Sequence, residues 1–158
     1  MPWPTKSASR TRDAPAPDDR PALLSPGTPL SARNASYRIE ARLDVAAHQV
    51  SATQTLSWTN LGQSAVTELP FHLYMNGFKN ETTLFMRSSH GEHRGERASD
   101  GGWGWIDVSS IEIDGGERRA AAHFREPDET VLEVPLGAPG PAGGTVTVDM
   151  AFQVQLPE

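Results

Sequence analysis

Tyr37-Arg38-Ile39-Glu40-Ala41-Arg42-Leu43-Asp44-Val45 alternates apolar and charged side chains for nine residues without a break. Successive side chains of a strand point to opposite faces, so this run predicts a strand with one greasy and one wet face. The pattern repeats downstream. Over Gln49–Thr59, Val50, Ala52, Leu56 and Trp58 share one face. Ser51, Thr53, Thr55, Ser57 and Thr59 line the other, and threonine suits a pleated, solvated surface. His48 falls in the turn between these two strands, and Asn60-Leu61-Gly62 supplies the next turn. Leu69-Pro70-Phe71-His72-Leu73-Tyr74-Met75-Asn76 predicts a third strand. Leu69, Phe71, Leu73 and Met75 lie on one side of it, and His72 and Tyr74 on the other. Pro70 has no N–H for a ladder and belongs at an edge or a bulge.

Residues 77–102 lose this periodicity except at Leu84-Phe85-Met86, and so long a connection is usually functional or mobile. Trp103, Trp105, Ile106 and Val108 return the chain to the core. Ile111 and Ile113 run into Asp114-Gly115-Gly116, a hairpin turn signal. Arg118–Phe124 is a weak segment expected to return antiparallel. Leu132, Val134 and Leu136 predict another strand. Gly137–Gly144 is rich in glycine and proline and reads as a loop. Val146, Val148, Met150, Phe152 and Val154 predict the last strand. No segment has a helical period with caps. The class is therefore all-β, an antiparallel β-sandwich.

A Pro-rich tail precedes this body. Seven of the 13 prolines lie within residues 1–35 (Pro2, Pro4, Pro15, Pro17, Pro21, Pro26, Pro29). Proline removes amide donors and fixes φ, so the expectation for 1–35 is disorder, with 36–158 as the single folded domain. The 158 residues carry a net charge of −6, unevenly placed: +2 over 1–35 and −8 over 36–158. An acidic body argues against nucleic acid, whose phosphates need clustered lysine and arginine. No apolar run reaches the ~20 residues of a membrane helix. Cysteine is absent. With no signal peptide evident, that favours a cytoplasmic setting.

The body resembles the N-terminal β-sandwich domain of the aminopeptidase N family of zinc metallopeptidases. The matching residues run in family order: Tyr37-x-Ile39-x-Ala41-x-Leu43-Asp44, Thr55-Leu56-x-Trp58-x-Asn60 and Leu69-x-Phe71-His72-Leu73-Tyr74-x-Asn76. Trp105-Ile106-Asp107, Ile111, Asp128-x-Thr130-Val131-Leu132-x-Val134-x-Leu136, Phe152 and Leu156-Pro157 follow. The resemblance implies a domain that packs against a catalytic domain and helps enclose its peptide site. In such hydrolases a His-Glu-x-x-His helix holds zinc and a Gly-x-Met-Glu-Asn segment engages the substrate. This sequence has neither motif, so no catalytic, cofactor-binding or metal residue carries over. Zinc is expected in the parent's catalytic domain and not in this chain. The sequence stops at Glu158, where the family's first domain would still add strands. A sandwich short of strands leaves an apolar face uncovered, which implies marginal stability and self-association.

Four other constellations could carry chemistry. His90-Gly91-Glu92-His93, with Glu96 and Asp100, could bind zinc or nickel weakly, but the two glycines suit a solvated loop. His72 and Tyr74 could act together in a metal or acid–base role, although two amphipathic side chains hydrogen-bonded or packed against a neighbour are the simpler reading. Trp103 and Trp105 around Gly104 could stack on sugar rings, making the chain a free-standing carbohydrate-binding module. The blander alternative is that both indoles close the end of the core. Asn34-Ala35-Ser36 and Asn80-Glu81-Thr82 match the glycosylation pattern. His48 and His123 occupy turn and strand-end positions. There is no nucleophile elbow and no phosphate loop.

Overall fold

The computed structural model describes residues 32–93, 96–97 and 102–157. The disordered tail expected over residues 1–35 lies outside the described residues as far as residue 31. Among the described residues, eight of ten strands build two principal antiparallel sheets. The larger has the order β1-β2-β10-β6-β7, from β1 (Ala35–Asp44), β2 (Gln49–Thr59), β10 (Thr145–Gln155), β6 (Trp105–Ile113) and β7 (Gly116–Glu117). The smaller has the order β3-β9-β8, from β3 (Val66–His72), β9 (Val131–Gly140) and β8 (His123–Phe124). A hairpin of β4 (Glu92–His93) and β5 (Glu96–Arg97) stands apart.

Period-two patterning sets the register. Tyr37 lies opposite Leu56, Ala41 opposite Ala52, Leu56 opposite Val148, and Val148 opposite Ile113. Apolar residues therefore stand side by side across four strands on one face of the large sheet. The small sheet covers part of that face. Leu56, Val108, Ile111, Ile113, Val146, Val148 and Met150 meet Leu69, Leu132, Val134 and Leu136 in a continuous buried cluster. Each such side chain contributes ~1.5–3 kcal/mol by leaving water. Pro70 sits on β3, at the edge of the small sheet, near a register irregularity between Val66 and Glu68.

Three expectations are corrected. The strand expected through Asn76 ends at His72, and Tyr74–Phe78 is a 3-10 turn. The turn is fixed by Asn76, whose side-chain Nδ2 donates to the Glu129 carbonyl (2.8 Å) and whose Oδ1 accepts from the Ile106 amide (2.9 Å). Burying an asparagine this way satisfies two backbone groups that a continuing strand would have paired elsewhere. Arg118–Phe124 is not one returning strand. Gly116–Glu117 pairs with β6, Arg119–Ala121 forms a 3-10 turn, and His123–Phe124 pairs with β9. Gly137–Gly144 is not all loop, because β9 continues to Gly140, which lies opposite Val66.

The long connection also holds a helix that the pattern did not show. α1 (Leu84–Ser88) is a single turn, with Thr83 as N-cap accepting from the Met86 amide. The Thr83 hydroxyl donates to the Gly77 carbonyl at 2.6 Å, which ties the helix to the preceding turn.

Candidate functional site

The five-stranded sheet is wider than the sheet packed on it. β1 and part of β2 therefore overhang, and a groove of about 770 Å³ opens between the overhang and β3. Its lining is mainly apolar. The large sheet contributes Tyr37, Leu56, Trp58, Met150 and Phe152, and β3 contributes Leu69 and Phe71. Asn34, Gln54, Glu68 and His72 are among its polar members. His72 and Tyr74 stack at the groove, ring centroids 3.9 Å apart and tilted by 32°. The two rings pack against each other. Tyr74 remains 75% exposed, so the stack presents an aromatic surface to whatever enters the groove.

β1 lines the groove at Tyr37 and runs on beyond it. Tyr37, Ile39, Leu43 and Val45 are all more than half exposed. The apolar row that predicts the fold in sequence is thus the row left without cover. These side chains make an exposed apolar row.

A second, polar pocket of about 320 Å³ lies where the segment around Asp128 meets the connection after β3. Lys79 and Glu129 form an ion pair in it. Asp128 accepts from the Leu84 amide (3.1 Å), the Thr130 amide (3.2 Å) and the Thr130 hydroxyl (2.6 Å). The Thr130 hydroxyl bond is the main reason its carboxyl is held below the ordinary range, against a smaller opposing effect of burial. On β9, Glu133 accepts from Arg125 and lies 3.1 Å from His123 Nε2. The Arg125 hydrogen bond is the main cause of its lowered pKa. Both carboxylates are anchored acceptors.

The metal-binding candidates separate in part. His90 is exposed in the turn after α1, at φ +54°. His93 and Glu96 pair through their backbones in the β4–β5 hairpin, and Asp100 lies outside the described residues. Among the described residues no three His, Cys, Asp or Glu side chains are grouped as a metal ion requires. Trp105 is 40% exposed and occupies the outer face of β6, because Ile106 and Val108 carry the inner face. Its indole does not close the core; Trp103 is half-buried. Asn80 Oδ1 accepts from the amide and hydroxyl of Thr82, a local turn. His48 sits in the β1–β2 turn at φ +51°, and His123 opens β8.

Two buried asparagines stand out that sequence reasoning treated only as motif members. Asn76 is described above. Asn60 Nδ2 donates to the Ser64 and Gly140 carbonyls (2.8 and 3.1 Å), and its Oδ1 accepts from the Gly62 amide (2.9 Å). Each staples loops from distant parts of the chain.

No known family model matches the chain, and no curated protein matches it. The resemblance to the aminopeptidase N family therefore rests on the motifs and their order. Among the described residues no helix is long and apolar enough to cross a membrane.

Proposed function

We propose that the chain is a non-catalytic N-terminal domain or fragment of a zinc metallo-aminopeptidase. It packs against the catalytic domain and helps enclose the peptide site. The observation that carries this reading is the groove: a wide apolar opening at the overhang, floored by Leu56 and Met150 and walled by Phe71. Apolar surface of that extent on one side of a small sandwich suits burial by another domain. The ordered motifs resemble those of the aminopeptidase N family, and the resemblance supports this reading. Peptide substrates reach the protein only through that parent.

Purified chain given an aminoacyl chromogenic substrate and zinc is expected to show no turnover, and turnover would refute the non-catalytic reading. An open reading frame continuing past Glu158 and encoding His-Glu-x-x-His supports the parent. Within that longer protein, Phe71→Asp is expected to loosen the docked domain and lower activity without altering the catalytic residues. A stop codon after Glu158 favours instead a free-standing adaptor or carbohydrate-binding module. The exposed Trp105 keeps that second reading open. Saturable heat on titration with oligosaccharides, abolished in Trp105→Ala, establishes it.

A further inference from the structure

The β1 strand is an open edge with a self-complementary pattern. Among the described residues its only strand neighbour is β2. The Thr59 amide donates to the Asn34 carbonyl at 2.8 Å, which makes Asn34 and Thr59 a hydrogen-bonded pair in the antiparallel register. Alternation then turns the backbone groups of residues 36, 38, 40, 42 and 44 toward β2. Those of Tyr37, Ile39, Ala41 and Leu43 face the open edge.

We propose that β1 pairs antiparallel with β1 of a second copy of this chain, with the two-fold axis at Ala41. In that register Ile39 faces Leu43 of the other copy, Ala41 faces itself, and Tyr37 comes level with Val45 at the start of the other copy's β1–β2 turn. On the opposite face Arg38 meets Asp44, and Glu40 meets Arg42. Every charge is then opposed by its opposite, in the closer, non-hydrogen-bonded type of pair. A slip of one pair in either direction loses this match. Centring on Glu40 sets Glu40 against Glu40 and Arg38 against Arg42; centring on Arg42 sets Arg42 against Arg42 and Glu40 against Asp44. The charges thus select one register, while the open amides supply about six new ladder bonds. The apolar row, with Tyr37 58%, Ile39 55% and Leu43 55% exposed, becomes continuous across the axis. Two five-stranded sheets join into one.

Charge complementarity is what distinguishes a second copy from an unrelated strand as the occupant. An arbitrary edge offers amides, but not the order plus, minus, plus, minus read in reverse. The interface is small, so it forms in a concentration-dependent way. This inference does not depend on the aminopeptidase reading.

Sedimentation velocity of the full chain between ~1 and ~300 µM, the range suited to a small interface, is expected to show a reversible monomer–dimer equilibrium. Ala41→Pro removes an outward amide and leaves the bonds to β2 in place; it is expected to weaken dimerisation about tenfold or more. Glu40→Arg opposes Arg42 on both sides of the axis and is expected to weaken it by about tenfold. The double change Glu40→Arg with Arg42→Glu restores the match and is expected to return the affinity to near the wild-type value. These two positions are exposed, so the charge series decides the matter even if the proline variant folds poorly. A wild-type chain that stays monomeric overturns the proposal. So does a dimer indifferent to Ala41→Pro, or one that the double change does not restore. Slow amide exchange at Ile39, Ala41 and Leu43 in a monomer would also overturn it, and would assign the edge to another segment of the same chain.

Discussion

Asn76 is 1% exposed, and both ends of its amide are engaged with backbone from separate parts of the chain. Asn76→Ala leaves the Ile106 amide and the Glu129 carbonyl without partners in the interior. The expected loss is ~2–4 kcal/mol, measured by urea unfolding. Asn76→Asp keeps the acceptor and loses the donor, so it should also destabilise at neutral pH. A loss below ~0.5 kcal/mol in both would mean that water reaches these groups. Asp128 gives a pH-dependent counterpart. Its folded pKa lies below the ordinary 3.8, chiefly through the Thr130 hydroxyl. A depressed carboxylate stabilises the fold at neutral pH, and that contribution is lost as pH falls through the folded value. Asp128→Asn should therefore lower stability at pH 7, and the difference from wild type should shrink in acid below 3.8. A difference constant from pH 7 to pH 2 would remove Asp128 from the acid transition. Sequence pattern marks Asn60 and Asn76 as motif residues but cannot say what they hold. Their partners lie on segments remote in the chain, and no local spacing encodes them.

At the scale of elements, legibility followed local regularity. β1, β2 and β10 alternate cleanly, and their observed limits lie within a residue or two of the expected ones. β3 stops short because the chain turns after Leu73, whose amide makes a last ladder-like bond to the Thr130 carbonyl, and Asn76 holds the turn, while Met75 still keeps the strand period by coincidence. β9 runs on through Gly137, Pro139 and Gly140, residues that look like punctuation. It does so because Val66 lies opposite Gly140 across the bulged register. Tertiary pairing overrides local propensity at such places. The start of β6 shows the same dependence. A Cβ on Gly104 would lie 2.7 Å from Pro157 Cδ and 3.0 Å from the Pro157 nitrogen, in contact with backbone that cannot swing away. Gly104→Ala is expected to separate the two segments and cost ~1–3 kcal/mol. Faster amide exchange at Trp105 and Ile106, next to the substitution, is the signature to measure. Unchanged exchange and stability would show that the close approach is not required.

Among the described residues the body has two principal sheets of unequal width, and the mismatch separates its stability from its surface chemistry. Val148, Val134 and Ile111 are fully excluded from water where the sheets overlap, and Leu132 is 1% exposed there. On the overhang, Ile39 carries the same kind of side chain and stays 55% exposed. Sequence periodicity cannot separate these cases, because alternation reports which face a residue is on and not whether another layer covers it. The fold class was legible for that reason and the groove was legible only as an expected lack of cover. The contrast is testable by paired substitutions. Leu132→Ala should cost ~2–5 kcal/mol, since it opens a cavity in packed surroundings. Ile39→Thr keeps β-branching, removes only surface grease, and should change stability by no more than ~0.5 kcal/mol. The two should reverse order in binding of an apolar fluorescent dye by the native protein. Ile39→Thr lowers it by removing part of the exposed patch, whereas Leu132→Ala leaves the patch in place. If Ile39→Thr instead unfolds the chain as readily as Leu132→Ala, then β1 is covered in solution, and the overhang is an interface already occupied at the concentration of the experiment.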